Sequence, residues 1–113
     1  NWLELGGNDI GPEGIRSLVN SKSLQKVKSL NLYRNCIKDE GAIILAQENQ
    51  LKKVEDLDLA QNEIGNDGIL ALSRSKNFPE LASIALDNNF SSAEGQEEAR
   101  TGPNFKKLQS LNL

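Results

Sequence analysis

The segment Val54-Glu55-Asp56-Leu57-Asp58-Leu59-Ala60-Gln61-Asn62-Glu63-Ile64-Gly65-Asn66-Asp67-Gly68 decides how the rest of the chain is read. Leu57 and Leu59 alternate with polar residues, the pattern of a short strand with one buried face. Asn62 follows where such a strand would end, and Ile64-Gly65 leads into a stretch with helical periodicity. Stepping outward by 27 residues in either direction finds the same arrangement. The alternating pairs are Leu3/Leu5, Leu30/Leu32, Leu57/Leu59, Ile84/Leu86 and Leu111/Leu113. Asn8, Asn35, Asn62 and Asn89 form a second column, and Gly14, Gly41, Gly68 and Gly95, each behind an acid, form a third. Further columns hold Leu18, Leu45, Leu72 and Ala99, then Leu24, Leu51, Phe78 and Phe105, then Val27, Val54, Leu81 and Leu108. Chance does not keep so many columns in register, so the chain is a repeat array.

Each column has a physical job. Stacked short strands make a parallel sheet, with the leucines inward and the residues between them outward. An amide side chain both donates and accepts, so a column of asparagines at the strand exits can satisfy the backbone of neighbouring turns. These asparagines read as scaffold. Pro12 sits at a first helical position, where its missing N–H does no harm. The acid after it faces the positive helix end, and the glycine lets the helix approach its neighbour. Ala42, Leu45 and Ala46 recur as on an amphipathic helix. The reading predicts strands centred on 3–5, 30–32, 57–59, 84–86 and 111–113, and helices near 12–20, 39–48, 66–75 and 93–100.

Composition narrows the function classes. The net charge of −3 gives no overall basic excess, which argues against nucleic acid as the partner. No apolar run approaches the length of a membrane span, so no membrane partner is expected. The chain has no histidine, which removes the commonest acid–base catalyst and zinc ligand. No cofactor and no metal are expected, and Cys36, the single cysteine, reads as a free thiol in a reducing, cytoplasmic setting. The chain starts and stops inside strands, so a single array is expected, with repeats about 1–27, 28–54, 55–81, 82–108 and a partial 109–113, as a piece of a longer one.

L-x-x-L-x-L-x-x-N followed by I-G-x-(E/D)-G and a helix resembles the ribonuclease-inhibitor-like class of leucine-rich repeats. The resemblance spans the whole chain. It implies an α/β fold, a right-handed horseshoe solenoid with parallel strands on the concave face and helices on the convex face. It also implies a non-enzymatic scaffold that holds a protein partner on the strand face. The alternatives within the class are a GTPase-activating protein of the Ran-specific type, which rests on fold analogy alone, and a bacterial effector or structural spacer.

The outward strand positions are the informative surface. The candidate partner-binding residues are Trp2, Glu4, Asn31, Tyr33, Arg34, Asp56, Asp58, Gln61, Asp87 and Asn88. Tyr33 lies between Gly6 and Ala60, so its ring is expected to stand proud, with Arg34 beside it as a cationic anchor next to an acidic patch. Asp56, Asp58 and Asp87 read as a solvated patch for a basic partner, because a flat face does not converge enough oxygens for calcium. The fourth repeat departs from the pattern. Ser91 fills the slot of Ile10, Ile37 and Ile64; Gln96 and Ala99 replace apolar residues; Phe90 stands one place early and could swing in to fill the gap. This turn is expected to be the soft point.

Overall fold

The computed structural model describes residues 1–113. Five three-residue strands, β1 (Trp2–Glu4), β2 (Ser29–Asn31), β3 (Asp56–Asp58), β4 (Ser83–Ala85) and β5 (Ser110–Asn112), form one open parallel sheet in chain order. Every pairing joins residues 27 apart, as in Leu3↔Leu30 and Leu30↔Leu57. Helices α1 (Gly11–Val19), α2 (Lys38–Glu48), α3 (Asn66–Ser73) and α4 (Ala93–Arg100) follow the first four strands. The strands begin one residue earlier than the leucine pairs suggest. The return limbs hold two elements that the repeat pattern does not announce: a 3-10 turn at Lys22–Leu24 and a short helix, α5 (Pro103–Lys106).

The core is a layer of leucines, isoleucines and valines between sheet and helices, with Leu32, Leu59, Ile64, Leu45 and Leu72 among its buried members. Burial of this kind stabilises at roughly 25 cal/mol per Å² of apolar surface. Polar bonding then fixes the register. Asn62 Oδ1 accepts from the backbone N–H of Asn35 (2.7 Å) and of Ile37 (3.4 Å) in the preceding turn. Its amide donates to the carbonyls of Leu32, Leu59 and Ala60. Asn35 does the same for Asn8 and Ile10, and Asn89 for Asn62 and Ile64. A second ladder runs on the return side. Asn77 donates to the carbonyls of Ala46 and Gln47, Asn104 donates to that of Leu72, and Ser75 donates to that of Ala46. These bonds take up the orphan carbonyls of helix ends.

Two local expectations need refinement. In the first three turns the glycine opens room first for the turn's own isoleucine: a Cβ on Gly68 would stand 2.5 Å from Ile64 Cγ2, then 2.7 Å from Asp39 Oδ1 and 3.0 Å from Ala42 Cβ; at Gly95 it would meet Asn66 of the preceding helix. Close approach to the neighbouring helix is the other part of its role, through Asp39 and Ala42 at Gly68 and through Asn66 at Gly95. The amides at the start of α3 are met by Asp39 of the previous turn, which accepts from Gly65 N (2.6 Å) and Gly68 N (3.0 Å), while Glu13 of the acid column pairs outward with Arg16.

The fourth turn also differs from expectation. Phe90 does not swing in; it is 70 % exposed. Asp9, Cys36 and Glu63, its column mates, all have positive φ, and Phe90 does not. The loop therefore takes another path and leaves the ring outside. Ser91 and Gln96 bond to each other (3.0 Å) in place of apolar contact.

Candidate functional site

The strand face presents three rows. The first is Trp2, Ser29, Asp56, Ser83 and Ser110; the second is Glu4, Asn31, Asp58, Ala85 and Asn112. The third, just past the strands, is Gly6, Tyr33, Ala60 and Asp87 by the same spacing. A shallow open hollow on this face is lined by Glu4, Asn31, Asp56 and Asp58 with Ser29 and Ser83. Four of the candidate residues therefore meet in one place. They are acidic or neutral, and no lysine or arginine lies in the three rows.

Two of these residues also have a local task that the alternation of leucines does not disclose. Asn31 Oδ1 accepts from Tyr33 N (2.9 Å), and Asp58 Oδ1 accepts from Ala60 N (3.0 Å). Each is a side-chain-closed turn at the strand exit. The Asn31 amide also donates to Glu4 Oε2 at 3.2 Å.

The remaining candidates sit apart. Trp2 is 76 % exposed at the edge of the face where the return limb enters. Tyr33 is exposed (37 %), and its root lies over Gly6, where a Cβ would touch Tyr33 Cβ at 3.7 Å. Arg34 and Gln61 are not beside the acidic rows. Both have positive φ, like Gly7 and Asn88 in the same column, and this backbone sends them to the rim. They line a second open hollow there with Gly7, Asp9, Cys36 and Glu63. Asp87 and Asn88 lie beyond the end of β4, exposed, with the Asn88 amide donating to Asp87 Oδ2 at 3.4 Å. The proposed anchor of Tyr33 with Arg34 thus divides between face and rim.

In the rim hollow the Cys36 thiol is pushed up from its ordinary pKa. Contact with the Asp9 carboxylate is the main cause, followed by partial burial and by the charges of Asp9 and Glu63. Such a thiol is a poor nucleophile. No three His, Cys, Asp or Glu side chains come close enough together to hold a metal ion. No helix is long and apolar enough to cross a membrane.

Charge is sorted by column. The helix starts and strand exits carry Asp9, Glu13, Asp39, Glu40, Glu63 and Asp67, while lysines gather on the return limbs. A locally basic surface therefore exists despite the acidic total.

No curated protein matches the chain in sequence. The family model described as "Leucine Rich repeat" matches residues 3–19, 23–46 and 50–73. Those segments cover the first three turns, the ones with unbroken columns, and together more than half of the chain. By motif, by architecture and by this match, the chain belongs to the leucine-rich repeat family.

Proposed function

We propose that this chain is a protein-interaction scaffold whose partner docks on the strand face through a cationic surface. Leucine-rich repeats generally serve as protein-interaction modules and are typically non-enzymatic. The observation that carries the finer reading is the shared hollow of Glu4, Asn31, Asp56 and Asp58 on a face with no cation of its own. A single-sign surface steers an oppositely charged partner and speeds its encounter. Tyr33, next to the hollow, supplies apolar contact area near the centre of the docking site, and aromatic residues are common anchors of this kind.

The test is affinity capture from the native source followed by titration of the isolated partner. A Glu4→Gln/Asp56→Asn double variant should slow association and remove most of its salt dependence. Tyr33→Ala should weaken binding at least tenfold, on the order of 2 kcal/mol for an anchor, with the fold intact. Substitutions on the helix side, Arg16→Ala in α1 or Arg74→Ala just past the end of α3, should leave affinity unchanged. Loss of binding in those two with none in Tyr33→Ala would place the partner on the helix side and end this reading.

A further inference from the structure

We propose that the return-limb flank of the solenoid, a surface distinct from the strand face, docks on an anionic lipid surface. The four return limbs are residues 20–28, 49–55, 74–82 and 101–109. They hold nine cations, Arg74 and eight of the nine lysines, against two carboxylates, Glu55 and Glu80. The rest of the chain holds four cations against fourteen carboxylates. All eight lysines are exposed, and none is ion-paired, since the three ion pairs of the chain belong to Arg16 and Arg74. Lys52 and Lys107 are tied to backbone carbonyls of the limbs. Lys22, Lys26, Lys28, Lys53, Lys76 and Lys106 keep free ammonium groups.

The repeat concentrates these charges. The 27-residue register sets Lys26 and Lys53 at equivalent places in neighbouring limbs. Like charges facing each other lower stability. No hydrogen bond or ion pair in the limbs requires a lysine at the six positions whose ammonium groups are free. A net-acidic chain that gathers its lysines on one flank has a surface complementary to an anionic one. Of the carboxylates elsewhere, only Glu98 is ion-paired with a cation of the flank, Arg74.

Two features favour lipid over nucleic acid. The free cations are all lysines, compact charges suited to diffuse attraction, whereas directed phosphate recognition draws on the arginine fork. The one arginine of the flank, Arg74, holds Glu98 at 2.9 Å. Along the limbs themselves no aromatic ring is offered for base stacking, because Phe78 and Phe105 are buried. At the corner of the flank stands Trp2 instead. It is level with Ser29, which follows Lys28 directly, and exposed indoles settle at the boundary of headgroups and acyl chains.

The test is co-sedimentation of the chain with vesicles of phosphatidylserine and phosphatidylcholine, against vesicles of phosphatidylcholine alone. Binding is expected only to the first, and it should fall steeply with added salt. Each lysine near the surface contributes about fivefold, so a Lys22→Gln/Lys26→Gln/Lys28→Gln triple variant should lose about a hundredfold. Lys38→Gln, the one lysine outside the flank, should lose nothing. Trp2→Ala should weaken the part of the binding that salt does not remove. Circular dichroism melts establish that each variant is folded. Failure to bind phosphatidylserine vesicles at low salt would overturn the proposal, as would equal losses from Lys38→Gln and from the triple variant. So would salt-sensitive binding to single- or double-stranded DNA with none to vesicles, or a lysine-dependent association of the chain with itself in place of lipid.

Discussion

Helices α3 and α4 are each eight residues long and sit one repeat apart, yet they are held by different means. In α3, Ile69 and Leu72 are buried and the first amides are bound by Asp39 from the turn before. In α4, Ala99 is the one buried side chain beyond Gly95. Ser92 caps its own helix by accepting from Gly95 N (3.1 Å), and Gln96 leans on Ser91. Asn66 still reaches across to Ser92 through both its oxygen and its amide. The contrast separates two things the repeat normally supplies together. Register survives on polar bonds between turns, whereas stability depends on how much apolar surface each turn buries.

The strongest way to break this comparison is through the asparagine ladder. Asn62→Ala strands two buried N–H groups and several carbonyls, so it should cost about 3 kcal/mol or more, read as a lowered denaturant midpoint. Asn89→Ala, at a half-buried rung, should cost less. Equal losses would mean that burial does not set the strength of a rung. Asp39→Ala should cost about 2 kcal/mol, because it frees two amides at the start of α3. Ser92→Ala removes a single cap bond and should cost about 1 kcal/mol; a larger cost there than at Asp39 would reverse the ranking of the two turns. Without any substitution, hydrogen exchange should show the amides of α4 opening before those of α2, and equal protection would count against a soft fourth turn.

The smallest expected effect concerns Cys36. Its thiol is held protonated by Asp9, partial burial and Glu63. The folded chain therefore favours the thiol form, and the stability this contributes is present below the ordinary thiol range and lost as pH rises through the raised value. Alkylation by iodoacetamide should run slower than in a free cysteine peptide at the same pH, and Asp9→Asn should speed it. An unchanged rate in that variant would remove Asp9 as the cause.

The leucine and asparagine columns were legible from residues alone because each carries its own local chemistry: alternation marks a half-buried strand, and an amide at a strand exit has few other uses. Three features were not. Arg34 and Gln61 adopt left-handed backbone where only Gly7, in the same column, advertises it, so their displacement to the rim was invisible. The four residues of α5 are too few to show a period, although Pro103 marks a helix start. The lysine flank was hidden by the net charge of −3, which sums over the whole chain. Summed down columns, the same residues divide between opposite sides of the molecule.

The asparagine ladder has a direction, and this gives mutations an unexpected address. The side-chain oxygen of Asn62 serves amides of the second turn, that of Asn35 the first and that of Asn89 the third. A lesion at one rung is therefore felt one turn upstream as well as in the turn that was changed. Genetic screens that assign a defect to the altered turn alone would miss half of its address. An asparagine lost from the third turn should also disturb the neighbours of Tyr33 in the second, and would look like a binding-site mutation although it lies on another strand.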